Sequence, residues 1–123
     1  MVHVLHLTEL ERWRAGGHIE AESLRTQGFV HASPDEPTML AVANVLYSEP
    51  EEPLVVLVVD TDALDCEVRW EAADPGPPPG VGKDVLFPHV FGPVPRAAVV
   101  NVLRPVRDSR GRYIALEETR STG

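Results

Sequence analysis

Residues 54–59 form a continuous apolar run with the sequence Leu-Val-Val-Leu-Val-Val. The run shows neither the polar alternation of a half-buried strand nor the spacing of an amphipathic helix. Four of its six residues are valine, which is β-branched. A short run of this kind predicts a strand that is buried on both faces. The fold must therefore place this segment in its interior.

Shorter patterns on either side predict further strands and helices. Apolar or alternating segments predict strands in residues 2–7, 29–32, 66–71, 85–94, 97–103 and 113–116. The order of elements is too irregular for a doubly wound sheet. We therefore expect a single α+β domain in residues 1–118 and a frayed tail in residues 119–123.

Two capping boxes predict helix starts. Thr8 with Glu11 is the first pair, and Ser33 with Glu36 is the second. The second box is expected to begin the longest helix, which extends to about Tyr47. Another helix is expected in residues 21–27.

The composition argues against several classes of protein. The chain has 19 acidic and 11 basic residues, and its formal net charge of −8 repels the phosphates of nucleic acids and anionic membranes. Cys66 is the single cysteine, so the chain cannot form an internal disulfide or a multi-cysteine metal site. The sequence has neither an apolar membrane span nor a signal-peptide pattern. We expect a cytoplasmic protein with a small-molecule ligand.

Three polar residues are candidates for one functional site. His31 lies just before a predicted helix start, where free backbone N–H groups favour anionic ligands. His89 lies in a segment whose prolines and glycine restrict the backbone, and Glu71 ends a strand on the same face as Arg69. We expect the two imidazoles and the carboxylate of Glu71 to share one cavity. No metal is expected, because no predicted helix carries a His-x-x-x-His or Glu-x-x-His pair that could bind one.

Each candidate also has a structural explanation. A core histidine bonded to a backbone carbonyl explains His31, and a surface ion pair with Arg69 explains Glu71. Prolines at a sheet edge block aggregation, and this explains the prolines around His89. Helix capping alone explains Ser33. The proline- and glycine-rich residues 72–83 form either a lid or a connector. The sequence leaves these alternatives open.

Three motifs occur in a characteristic order. They are Gly-Phe-Val-His-Ala-Ser at residues 28–33, Arg-Trp-Glu at residues 69–71 and Phe-Pro-His-Val-Phe-Gly-Pro at residues 87–93. In order and spacing they resemble a family of small bacterial domains of unknown function, whose members carry Gly-Phe-Ile-His-x-Ser and Phe-Pro-His-x-Tyr-Gly-Pro. The likeness extends to about Leu103. Ala32 and Phe91 replace the Cys and Tyr that are frequent in the family.

That family is grouped by similarity with the ADP-ribosyltransferase-like superfamily. The resemblance implies a mixed, strongly bent, split β-sheet with helices mainly in the N-terminal half, and a cleft that holds NAD in active relatives. It also implies roles for individual residues of this chain. The implied nucleotide-binding residues are His6, Thr8, Ser33 and Arg69, and the implied catalytic residues are Glu71, His31 and His89.

The function implied by the resemblance is that of an NAD-dependent transferase or an NAD- or ADP-ribose-processing enzyme, with NAD as a substrate. A fold superfamily does not by itself establish a reaction, so two alternatives remain. One is a non-catalytic module that binds a nucleotide or another small ligand in the same cleft. The other is a biosynthetic or hydrolytic enzyme in which the His/Glu cluster performs acid–base catalysis, because histidine titrates near neutral pH.

Overall fold

The computed structural model describes residues 2–47, 53–73 and 76–119. In these residues seven strands and three α-helices form an α+β fold, as the sequence predicts. The strands are β1 (His3–Glu9), β2 (Val30–His31), β3 (Leu54–Asp60), β4 (Val68–Ala72), β5 (Leu86–Val90), β6 (Val99–Arg107) and β7 (Tyr113–Glu118). The helices are α1 (Leu10–Arg14), α2 (Glu22–Gln27) and α3 (Glu36–Leu46), so all three lie in the N-terminal half. The predicted tail, apart from Thr119, lies outside the described residues.

The strands form two sheets. One has the order β1-β3-β6-β7 and the other has the order β2-β5-β4. The strand pairs within the described residues are all antiparallel, whereas the family resemblance implied a mixed sheet. Even β2 and β5, which are far apart in the sequence, run in opposite directions where they pair.

The apolar run forms the centre of the larger sheet. β3 lies between β1 and β6, and residues on its two faces enter two different apolar clusters. Leu57 lies in the cluster between the sheets together with Val30 and Val90 of the smaller sheet. On the other face, Leu54 packs in a cluster with Ala43 of α3. The prediction of a strand buried on both faces is confirmed.

The prediction that Thr8 and Glu11 form the first capping box is wrong. Thr8 belongs to β1, where it pairs with Val55 of β3, and α1 begins only at Leu10. The residue at the N-cap position is Glu9, and its side chain makes no capping hydrogen bond. Pairing with the buried central strand therefore keeps the backbone extended past the position where the local signal predicted a helix.

The N-cap of α3 lies two residues after Ser33, the position predicted by the second capping box. Asp35 is the N-cap of α3, and its carboxylate accepts a hydrogen bond from the Thr38 backbone N–H at 2.9 Å. Ser33 instead exchanges two backbone hydrogen bonds with Leu5 of β1, at 2.7 and 2.9 Å. The helix start therefore does not lie directly against Ser33, as the sequence pattern indicated. The longest helix itself is where it was predicted.

Candidate functional site

One face of the three-stranded sheet carries the polar residues of the sequence motifs. Residues directly opposite each other in an antiparallel pair share a face, and His31 and Arg69 both lie opposite His89. Glu71 is two residues after Arg69 and therefore lies on the same face. The other face carries Val30 and Val90, which are buried in the core. Sheet register thus brings together side chains from three distant parts of the chain.

His89 and Glu71 form a hydrogen-bonded pair. The His89 Nδ1 atom lies 2.8 Å from the Glu71 Oε1 atom, and the carboxylate accepts this bond. The His89 side chain is only 11% exposed, whereas that of Glu71 is 45% exposed. Because Nδ1 carries the hydrogen, the Nε2 atom of a neutral His89 ring carries the lone pair. This arrangement orients the imidazole as a carboxylate orients the histidine of many catalytic sites.

Phe29 holds the two histidines of the sheet face in place. Its ring stacks on His89 with a centroid separation of 4.1 Å and meets His31 edge-on at 4.8 Å. The His31 and His89 rings are 5.8 Å apart. The Phe of the Gly-Phe-Val-His motif therefore positions the two imidazoles, a role that its place in the sequence did not predict.

The glycine of the third motif is required by packing. A Cβ atom at Gly92 would lie 2.7 Å from the Cβ atom of Cys66, which is too close for non-bonded carbon atoms. Burial, followed by the charge of Asp65, raises the pKa of the Cys66 thiol, which makes it a poor nucleophile. Because the thiol is a poor nucleophile, the contact between Gly92 and Cys66 is a packing contact, and it holds the segment after His89 against the rest of the domain.

His31 is held by a second polar contact. Its Nε2 atom lies 2.5 Å from the Oε1 atom of Gln27, the last residue of α2. Gly28 follows with a φ of 90°, a left-handed conformation that ends the helix and turns the chain into β2. Partial burial, and then the nearby His89, lower the pKa of His31, so its ring is neutral at neutral pH.

His6 is the most deeply buried imidazole of the site, with an exposure of 5%. Its Nδ1 atom donates to the backbone carbonyl oxygen of His31 at 2.6 Å. Its Nε2 atom is buried and has no hydrogen-bond partner among the described residues. Burial lowers the pKa of His6, an effect only partly offset by the bond to His31. A neutral ring with Nδ1 protonated presents an unused acceptor at Nε2.

The lowered pKa of His6 predicts a pH-dependent stability. Below the unfolded-state pKa of about 6.5 the unfolded chain binds the proton that the folded chain rejects, so stability falls as the pH decreases. We expect His6→Gln to reduce this loss between about pH 7 and about pH 5, with a change in slope of up to about 1.4 kcal/mol per pH unit. Urea unfolding at several pH values measures the slope. The control is His18→Gln, because His18 is exposed; an unchanged slope in His6→Gln would contradict the assignment.

These histidines line a cavity of about 960 Å³. Its wall includes five of the seven site residues predicted from the sequence, which are His6, Thr8, His31, Ser33 and His89. The other two, Glu71 and Arg69, are absent from the wall. Glu71 reaches the cavity only through His89, and Arg69 pairs with Glu67 and lies over the Phe91 ring. The geometry therefore separates the expected carboxylate from the cavity by one imidazole.

Several wall residues lie outside the set of site residues predicted from the sequence. Arg12 of α1 lines the cavity and lowers the pKa of His6 slightly, so its positive charge is close to that ring. Phe87 also lies in the wall, as does the segment Gly76–Pro79. This segment belongs to the proline-rich stretch, which is therefore part of the cavity wall in its described portion. In the described residues no group of three or more His, Cys, Asp or Glu side chains is arranged to hold a metal ion.

The fold and the site together define an α+β protein with a histidine-lined cavity beside a small antiparallel sheet. Residues 4–102 match the family described as "Protein of unknown function (DUF952)", and the chain belongs to this family. A search of curated proteins finds no match. No helix in the described residues is long and apolar enough to cross a membrane.

Two solved structures are similar in fold. One is protein CC0527 from Caulobacter crescentus, which has 20% sequence identity and a TM-score of 0.69. The other is a double mutant of the same protein, with 20% identity and a TM-score of 0.68. In both cases the match covers 92% of this chain and 94% of the other. At this identity the likeness concerns the fold alone.

Proposed function

We propose that this protein is an ADP-ribosyltransferase-like enzyme that takes NAD as its substrate in the histidine-lined cavity. The observation that carries the proposal is the buried acceptor of His6, whose Nε2 atom has no partner among the described residues although the ring lines the cavity. A buried polar atom without a partner is costly unless a ligand or water supplies one. The neighbouring rings of His31 and His89 line the same cavity.

The chemistry of the cavity wall suits a nucleotide. Neutral imidazoles offer lone pairs to hydroxyl donors such as those of a ribose diol, and both His6 and His31 have a lowered pKa. Phe29 and Phe87 add aromatic surface against which a ring can pack, and Arg12 supplies a positive charge for a pyrophosphate. The volume of about 960 Å³ is at the upper end of the usual range for ligand cavities, about 300–1,000 Å³.

His89 and Glu71 would share the acid–base work. When a hydroxyl of the acceptor forms a bond to C1′ of the ribose, the bond from C1′ to nicotinamide breaks and the hydroxyl loses a proton, which the Nε2 atom of His89 can accept. The Glu71 carboxylate, bonded to Nδ1, would then stabilise the imidazolium that forms. Glu71 is therefore a positioning residue in this proposal, not a group that touches the substrate. NAD supplies the ADP-ribosyl group and its nicotinamide leaving group.

The test is incubation of the purified protein with NAD, with free nicotinamide measured by chromatography. We expect nicotinamide release that His31→Ala abolishes and His18→Ala leaves intact, since His18 is exposed and absent from the cavity wall. Circular dichroism shows whether each variant is folded. Failure of NAD to bind in calorimetry, together with no nicotinamide release, would refute the proposal. Saturable binding without release would instead support a non-catalytic nucleotide-binding module.

A second candidate is favoured by the His89–Glu71 hydrogen bond. This pair is suited to acid–base catalysis on a substrate other than NAD, because the carboxylate orients the ring whatever the substrate is. A substrate of this kind would give a bell-shaped pH profile and turnover that does not require NAD. Screening of small phosphate esters and amides in the absence of NAD distinguishes the two functions.

A further inference from the structure

Within the described residues, the strand at the outer edge of the three-stranded sheet has a neighbour on one side only. β4 pairs with β5 on one side and is the last strand of its sheet. The backbone N–H of Phe91 donates to the carbonyl of Glu67 just before β4, which makes this a hydrogen-bonded pair. Because such pairs alternate along an antiparallel ladder, residues 69 and 71 bond to β5. The backbone groups of residues 68, 70 and 72 therefore point away from β5.

Pro88 supports this assignment. It lies opposite Trp70 and has no N–H to donate, so it is compatible only with a non-hydrogen-bonded pair at that position. Trp70 is accordingly the middle of three residues whose N–H and C=O groups are directed to the free edge. Unpaired edges of this kind accept a further strand from another chain unless they are blocked.

Apolar side chains accompany the free edge. Trp70 is 42% exposed and Leu86 is 47% exposed. Leu86 lies on β5 two residues before Pro88, the residue opposite Trp70. The two lie on the same face of the sheet, because Trp70 is opposite Pro88. An exposed tryptophan at the centre of an open edge is a residue that interfaces commonly bury.

The charges of β4 are complementary to those of a second copy of the same strand. If two β4 strands pair antiparallel about a two-fold axis at Trp70, Arg69 of each copy lies opposite Glu71 of the other. Residues 68, 70 and 72 then face each other as hydrogen-bonded pairs, which the free backbone groups require. A shift by one pairing step in either direction sets Arg69 against Arg69 or Glu71 against Glu71. Opposite charges are favourable across strands and like charges are not, so the charges select the register centred on Trp70.

We propose that this protein associates into a symmetric dimer through antiparallel pairing of β4 with β4 of a second copy, centred on Trp70. The pairing joins the two three-stranded sheets into one six-stranded sheet. A self-complementary patch of this kind gives a closed two-fold assembly. Arg69 is free to change partners at small cost, because its present ion pair with Glu67 is exposed to solvent.

The dimer would connect the interface with the candidate site. Glu71 bonds to His89 within one chain, and in the dimer it also lies opposite Arg69 of the second copy. In the dimer a guanidinium would therefore lie beside this carboxylate, and an ion pair between the two would help to hold the carboxylate in position for its bond to His89. Only the effect of this Arg69–Glu71 contact on turnover rests on the proposed function. The dimer itself does not depend on the reaction.

Sedimentation velocity of the full chain over a range of concentrations tests the dimer. We expect reversible dimerisation that Arg69→Glu and Glu71→Arg each weaken by about tenfold or more, because either change creates two like-charge pairs across the axis. The double variant with both changes restores opposite charges in the reversed order. It is expected to recover most of the lost association. Arg104→Glu is the matched control, because it removes the exposed Arg104–Glu117 pair of the other sheet.

Three outcomes would overturn the dimer. One is a monomer at every soluble concentration of the unmodified protein. Another is a dimer that folded Arg69→Glu forms as well as the unmodified protein does. The last is a double variant that is folded, as shown by circular dichroism, but does not recover association. If the unmodified protein dimerises but neither binds NAD nor releases nicotinamide, the proposed function alone is refuted. The two failures are therefore distinguishable.

Discussion

Leu57→Ala is expected to lower the free energy of unfolding by about 2–5 kcal/mol. Leu57 is fully buried in the central strand β3, between His6 of β1 and Val102 of β6. Its side chain lies in the cluster that joins the two sheets. Truncation removes apolar contacts and leaves a cavity that strands held on both sides cannot close.

Urea denaturation monitored by circular dichroism measures this loss. Val100→Ala is the matched control, because Val100 is an exposed apolar residue of the same sheet and its loss is expected to cost less than about 0.5 kcal/mol. Equal effects of the two substitutions would show that Leu57 is not in the core that joins the sheets. Because Leu57 lies opposite His6, a shift in the pH dependence of Leu57→Ala would also show that the two residues share this region.

Local chemistry explains which parts of the fold could be predicted. The valine-rich run favours a strand buried on both faces, because most of its residues are β-branched, and β3 is this strand. The end of α2 at Gly28 is also a local event, since a left-handed φ of 90° follows the last helical residue. The capping boxes failed because tertiary pairing outweighed them. Thr8 remains in β1 opposite Val55, and the cap of α3 is Asp35, which accepts a hydrogen bond from the N–H of Thr38 in place of the predicted bond between Ser33 and Glu36.

The site was predictable as a set of residues but not as an arrangement. Strand alternation is sufficient to place Arg69 and Glu71 on one face, because both lie on β4. The distance between the His31 and His89 rings depends on the pairing of β2 with β5, two segments separated by more than fifty residues, and no local pattern encodes that register. The same long-range packing leaves Glu71 outside the cavity wall.

His89→Ala is expected to lower kcat for NAD turnover by about 10²–10⁴-fold, which is the usual contribution of a general acid or base. His89 lines the cavity, and its Nδ1 atom is held by Glu71, so the ring is oriented for proton transfer at Nε2. Free imidazole added to the assay is expected to restore part of the rate, because the truncated side chain leaves room for it. A loss of rate caused only by loosened packing against Phe29 would not respond to imidazole. A His89→Ala rate equal to that of the unmodified protein would remove His89 from the mechanism.

Glu71→Gln separates positioning from binding in the same assay. The Glu71 carboxylate touches the cavity only through His89, so its replacement is expected to lower kcat while KM stays within about twofold. An amide oxygen still accepts the Nδ1 hydrogen, but it lacks the charge that stabilises an imidazolium. Combined with His89→Ala, Glu71→Gln should add almost nothing, because its only route to the substrate has been removed. A rise in KM with kcat unchanged would instead place Glu71 in direct contact with the ligand and reassign the acid–base role of His89.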